Sequence, residues 1–296
     1  MSEITTRWIN PALVAKLARL PLQPRRPVSG SMSGQHKSPH RGSSVEFAEY
    51  RKYAPGDDIR RLDWRVLARS DRFYMKEFEA ETNLRCHLLL DCSGSMAYRS
   101  GTTSKFDCAR QIAATLLYLV IQQGDAAGLV RIRHDGLDEL PAKRNPAHVR
   151  TLLEFIDSAS PTGPTGLIPA IHEVAEKIRE RALVIILSDC FCPLPPLLEA
   201  LRHLDFKKHD VAVFQIIDPD ELNFPFERAT RFADLESPSH LTTEPALIRT
   251  DYLDALARHV EGLRDACAQF RADFLQTPAD RNPEEILASF LADRLR

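Results

Sequence analysis

The sequence predicts an α/β protein: a mostly parallel, doubly wound sheet flanked by helices, preceded by a distinct N-terminal segment and followed by C-terminal helices. Three observations carry this. Short, wholly apolar runs at residues 88–90 (LLL) and 183–187 (LVIIL) have the length and content of strands buried on both faces. From Asn83 onward such runs alternate with amphipathic stretches of helical spacing, as successive strand–helix units require. Two of the runs end in an aspartate, Asp91 and Asp189, at the carboxyl edge where open α/β sheets place their ligands.

Taken in order, residues 10–20 read as a short helix, with Pro11 near its start and Leu13, Leu17 and Leu20 on one side. The stretch after it, PLQPRRPVSGSMSGQHKSPHRGSS, is rich in Pro, Gly and Ser and reads as loop or tether, so residues 1–41 form one N-terminal region. Residues 42–82 form a second, dense in Arg, Asp and Glu around a few large apolar side chains. There Pro55, Gly56 and Asp57 turn the chain, Ile59, Leu62, Trp64 and Leu67 are expected to anchor it to a core, and 73–79 is expected as a strand. Ion pairs and bidentate arginine contacts would hold such a segment, as scaffold or as a partner-binding surface.

The main domain is expected over 83–240. Its strands are read at 84–90, 126–133, 182–187 and 211–217, with a short one near 137–140 after Gly136. Helices are read at 105–123, from Pro146 through Ile156, at 166–179 and at 194–204; the first presents Phe106, Ala109, Ile112, Ala113, Leu116, Leu117 and Val120 as a broad apolar face. Residues 241–296 are expected as a helical extension. A long helix over 246–272 is read from Leu253, Leu256, Val260, Leu263, Cys267, Phe270 and Phe274, followed by a shorter one at 284–295; both are expected to pack on the chain's own sheet.

Composition narrows the function classes. With 39 basic against 41 acidic residues the net charge is −2, which argues against wholesale nucleic-acid binding. No apolar run is long enough to span a bilayer. The N-terminus, MSEITTRWINPALVAKLARL, places polar residues where a secretory signal needs an apolar stretch, so the expected compartment is the cytoplasm. Of the six cysteines, Cys190 and Cys192 are spaced C-x-C and Cys92 lies in another strand-end loop. Inert buried thiols are the leading reading, with a redox pair or a soft-metal site behind it, since no second closely spaced pair completes a zinc set.

The chemistry gathers in LLLDCSGSM. Asp91 is the first polar residue after a strand, Ser93 and Ser95 follow at alternate positions, and Gly94 permits the bend between them. Alone, this pattern is equally a turn or a helix cap. A second strand-terminal carboxylate, Asp189, and a glycine-flanked Thr165 at the entrance of another helix change the balance. If the two strands are neighbours, three hydroxyls and two carboxylates meet: hard oxygen donors that suit Mg2+ or Mn2+ better than zinc.

These five positions, D-C-S-G-S at 91–95, T-G at 165–166 and the aspartate at 189, resemble the metal-ion-dependent adhesion site of von Willebrand factor A-like domains. The resemblance implies that Ser93, Ser95 and Thr165 coordinate through their hydroxyls, that Asp91 and Asp189 act directly or through water, and that a partner's carboxylate fills the open position. The upstream block, with F-A-E-Y-R-x-Y, P-G-D-D-I-R-R-L-D-W and K-E-F-E, resembles the domain-of-unknown-function family numbered 58, as do DPDELNFPF at 218–226 and FADLE at 232–236. Membership implies association with a MoxR-type AAA+ ATPase in a chaperone-like or complex-assembly role.

A non-enzymatic, metal-dependent protein-binding module is therefore the leading expectation. No nucleophile–base arrangement is evident: DCSGS is not the G-x-S-x-G elbow, His87 sits inside an apolar strand as a packed residue, and His172 is a lone helical histidine. The rival from another class is a Mg2+-dependent phosphatase or phosphotransferase with Asp91 as nucleophile. It is weakened by Ser93, which stands where the second acid of a D-x-D pattern belongs. A structural domain that binds no ion is the third reading.

Overall fold

The computed structural model describes residues 7–25, 36–37, 46–52, 63–64, 66, 73–79, 81–82 and 84–295. The chain divides into two compact units, one comprising 1–25 with 85–296 and the other 26–84.

The first element, helix α1 (Pro11–Leu17), is capped by the Asn10 side chain, which accepts from the Ala12 and Leu13 amides. The 26–84 unit contains β1 (His36–Lys37), β2 (Glu46–Lys52), β3 (Tyr74–Glu79) and β4 (Glu81–Thr82). β1 pairs antiparallel with β4, and β2 with β3, the latter through a register shift between Phe47 and Glu49. The strand expected at 73–79 is thus present. Trp64, expected as a core anchor, is 61% exposed. An indole carries a polar N–H on an apolar body, so its size does not by itself require burial. Ile59, Leu62, Leu67 and the Pro55–Gly56–Asp57 turn lie outside the described residues.

The larger unit is built on β5 (Arg85–Asp91), helix α2 (Lys105–Gln122), β6 (Ala126–Arg133), β7 (Gly136–Lys143), α3 (His148–Asp157), α4 (Leu167–Lys177), β8 (Leu183–Ser188), α5 (Leu194–Phe206), β9 (Asp210–Ile217), the short α6 (Pro219–Asn223), β10 (Thr230–Ala233), β11 (His240–Thr243), α7 (Pro245–Gln269), β12 (Asp273–Pro278) and α8 (Pro283–Asp293). β10 and β11 form a separate antiparallel hairpin. The main sheet has the order β12-β9-β8-β5-β6-β7, parallel throughout except for β7, which turns back on β6 at the sheet edge. This is the doubly wound α/β architecture expected. Its central strands are apolar because helices cover both faces: every residue of β8 and β9 is buried, whereas β7, at the edge, alternates.

The tail departs from expectation. The helix read through to residue 272 stops at Gln269, and residues 273–278 form β12, parallel to β9. Phe270 and Phe274 continue the helical spacing, but β9 offers an open row of backbone donors and acceptors that only an extended segment satisfies. Among the described residues no helix is long and apolar enough to cross a membrane.

Candidate functional site

Strand order reverses around β5: β6 lies on one side and β8 on the other, so the crevice beyond the carboxyl ends of β5 and β8 is the switch point of the sheet. Asp91 ends β5 and Asp189 follows β8, which places both there. The register aligns Leu90 with Leu187 and Leu89 with Ile186, so the two strand ends stand level.

Thr165 is brought in by backbone bonds. The Thr162 amide donates to the Cys92 carbonyl (2.8 Å) and the Gly94 amide to the Gly163 carbonyl (2.8 Å), lacing the two loops together. Two glycines let other backbone segments close against these loops. A Cβ on Gly94 would lie 2.1 Å from the Leu235 carbonyl oxygen, and one on Gly166 would lie 2.3 Å from that of Arg133.

Within the cluster, Ser93 Oγ and Ser95 Oγ are 3.1 Å apart, and Thr165 Oγ1 lies 3.5 Å from Asp91 Oδ2. Asp91 is fully buried: its Oδ1 accepts from the Ser93 amide (2.9 Å), and its Oδ2 accepts the Ser188 hydroxyl (2.6 Å). Ser95 and Thr165 are the half-buried members. The bland reading of this loop as a helix cap does not hold, because α2 is capped by Ser104, whose Oγ accepts from the Asp107 amide (3.0 Å). Gly94–Ala97 is instead a separate 3-10 turn.

Four participants escaped the sequence reading. Lys105, read only as a helix start, has a fully buried side chain, and its ammonium lies 2.8 Å from Asp189 Oδ2 and 2.7 Å from Glu221 Oε1. A cation in a helix's first turn opposes the helix dipole, and that misfit was the available signal. Burial works against this charge, and the two carboxylates overcome it, holding the ammonium above its ordinary value. Glu221, from α6, is itself raised by burial against the opposing pull of Lys105. Ser188 and Glu236 complete the surroundings, the latter accepting the Thr165 amide (2.9 Å) from the turn between β10 and β11.

Asp189 accepts Lys105 on one oxygen and the Phe191 amide (3.2 Å) on the other. The hydroxyls of Ser93, Ser95 and Thr165, with the Asp91 carboxylate behind them, make an oxygen-only donor set, the chemistry of a hard divalent cation. Among the described residues no three His, Cys, Asp or Glu side chains group as metal ligands, so any ion here would rely on hydroxyls.

Burial, reinforced by the charge of Asp189, pushes the Asp91 carboxyl from 3.8 up to about 6, against hydrogen bonds from Ser188 and Ser93. The native state therefore holds this proton more tightly than the unfolded chain does. Asp91 leaves stability untouched below the unfolded value and withdraws up to ~3 kcal/mol as pH rises through the folded one. In chelator, urea midpoints of the wild type should fall relative to those of Asp91→Asn between about pH 4 and about pH 6.5. Parallel curves would overturn the assignment of a raised carboxyl.

The remaining candidates lie elsewhere. His172 Nδ1 meets His203 Nδ1 (3.0 Å) on α5 rather than the crevice. His87 is pulled down to about 4 by burial, with Arg85 adding to the effect, and is a neutral packed residue. All six cysteines are free; burial pushes Cys92 and Cys192 up to about 12 and Cys190 well above its ordinary value, which fits inert thiols.

The family model "Protein of unknown function DUF58" matches residues 49–262, more than half of the chain. The chain belongs to the DUF58 family. An uncharacterized protein of Mycobacterium tuberculosis, Rv1480, is 28% identical over 293 residues, covering 97% of this chain and 91% of its own. The uncharacterized protein YeaD of Bacillus subtilis is 28% identical over 127 residues, 41% of this chain and 30% of its own. Among solved structures, an aerotolerance-related membrane protein from Bacteroides fragilis matches with a TM-score of 0.50 at 14% identity, over 72% of this chain and 99% of that one. That likeness concerns the fold alone. Together with the strand order, it shows a mostly parallel sheet flanked by helices, consistent with a von Willebrand factor A-like or Rossmann-like α/β fold.

Proposed function

We propose that this DUF58 chain is a non-enzymatic protein-binding module that docks its partner through a divalent cation, Mg2+ or Mn2+, held by Asp91, Ser93, Ser95, Thr165 and Asp189. The observation that carries this reading is the convergence of three loops at the switch point: the 162–165 loop is bonded to the 92–94 backbone, and Thr165 Oγ1 lies 3.5 Å from Asp91. A bound cation would offer a coordination place to an acidic side chain from the partner. The chain's residues divide that work: Ser95 and Thr165 stand at the surface, Ser93 and Asp91 behind them, and Asp189 is fixed by Lys105. The resemblance described above extends the reading to a MoxR-type AAA+ ATPase, with this module presenting a client during complex assembly.

Affinity capture with wild type and Asp91→Ala, each in Mg2+ and in chelator, tests it. Partners should be retained only by wild type in Mg2+, with both proteins melting as folded domains. Equal capture in chelator would sink the cation reading. Phosphomonoester turnover lost in Asp91→Asn would favour the phosphotransferase instead.

A further inference from the structure

Beside the proposed cation site lies a cavity of about 250 Å³, and Ser95 lines it. Its walls come from 218–226 and 232–236, two segments the adhesion-site pattern leaves without a role, together with α7. Phe224 is the centre, with ring centroids 4.7 Å from Tyr252, 5.2 Å from Phe226 and 5.6 Å from Phe232. Asp220, Glu221 and Asp234 supply carboxylates, and no basic side chain lines the cavity among the described residues. We propose that this cavity is a slot for an arginine side chain of the partner, placed next to the acidic side chain that docks at the cation.

The three acids are not equivalent. Glu221 is paired with Lys105, which it shares with Asp189, and Asp234 accepts the hydroxyls of Ser237 (2.5 Å) and Ser239 (3.2 Å). The Asp220 carboxylate, half-buried, accepts one side-chain hydrogen bond among the described residues, from the Tyr98 hydroxyl at 3.5 Å, and keeps capacity for a charged donor. The Arg249 guanidinium is turned to the Phe226 carbonyl (2.9 Å). Burial, with nearby carboxylates adding to it, pushes the Tyr98 and Tyr252 phenols up to about 12.

Aromatic faces beside a carboxylate suit a planar guanidinium, which stacks on rings while its N–H groups reach the acid. An apolar occupant would bury the Asp220 charge with only the long Tyr98 hydroxyl contact to offset it, at a penalty. An anion would meet like charge. Because Ser95 is shared with the cation site, the partner's arginine would stand within a few residues of its acid. This placement rests on the proposed docking function; the slot's chemistry does not.

The test is an NMR titration of the 15N-labelled full chain with capped arginine N-methylamide, against capped citrulline and norleucine amides, in Mg2+ and in chelator. Arginine should give saturable shifts at Tyr98, Phe232 and Tyr252, bind at least ~5-fold tighter than citrulline, and do so in both buffers. Asp220→Asn should erase that preference while leaving the spectrum elsewhere unchanged. Absence of saturable shifts, equal binding of citrulline, norleucine binding as tightly as arginine, or a preference surviving Asp220→Asn would each overturn the slot. Arginine selectivity with no Mg2+-dependent capture would sink the cation reading alone; the converse would sink the slot alone.

Discussion

Lys105→Met should lower the stability of the main unit by ~3–5 kcal/mol, the usual penalty for stranding a buried charge by removing its partner. The lysine side chain is fully enclosed and bridges Asp189 and Glu221, whose side chains are 4% and 18% exposed. Methionine fills the volume and cannot donate, so two carboxylates are left facing each other with little water. Urea unfolding at neutral pH reads the effect. Adding Glu221→Gln to the variant should recover part of the loss, because one of the stranded charges disappears. A loss below ~1 kcal/mol would mean that water screens the trio as it screens a surface pair.

The second large effect lies at the other end of the sheet. Arg294, just past α8, is fully buried, with Nη1 2.7 Å from Asp210 Oδ2 and Nη2 2.6 Å from Asp273 Oδ2. These aspartates begin β9 and β12, and Arg25 joins them through its side chain to Asp273 (2.7 Å) and its amide to Asp210 (2.9 Å). One cluster therefore ties Arg25 and the residue following α8 to the amino ends of two strands. Arg294→Leu should cost ~3–5 kcal/mol by the same argument of a stranded charge, measured as a fall in the urea midpoint. Because the cluster sits at the strand ends opposite the candidate site, partner capture at temperatures where the variant is folded should match wild type. Lost capture by a folded Arg294→Leu protein would show that the two ends of the sheet are linked.

Lys105 and Arg294 mark where sequence reading stops. Both were visible as letters, yet their importance comes from what faces them: Asp189, 84 positions from Lys105, and Asp210, 84 positions from Arg294. The strand β12 was missed for a related reason, since six residues after a long helix carry too little periodicity of their own, and their conformation is set by the open edge of β9. Trp64 shows the opposite error, a burial inferred from apolar size where the local structure leaves the ring exposed.

What the sequence by itself determined is the α/β alternation and the identity of the residues at the ends of β5 and β8. An apolar run broken by an aspartate is a local pattern, and it marks the point where a strand ends at the carboxyl edge of the sheet. The tertiary structure alone decided that Thr165 stands against Asp91, that Lys105 bridges Asp189 and Glu221, and that Asp220 is left facing a cavity of aromatic rings. Strand order, register and close glycine contacts bring those groups together, and the pairing of a buried charge depends on which neighbours packing supplies rather than on any spacing along the chain.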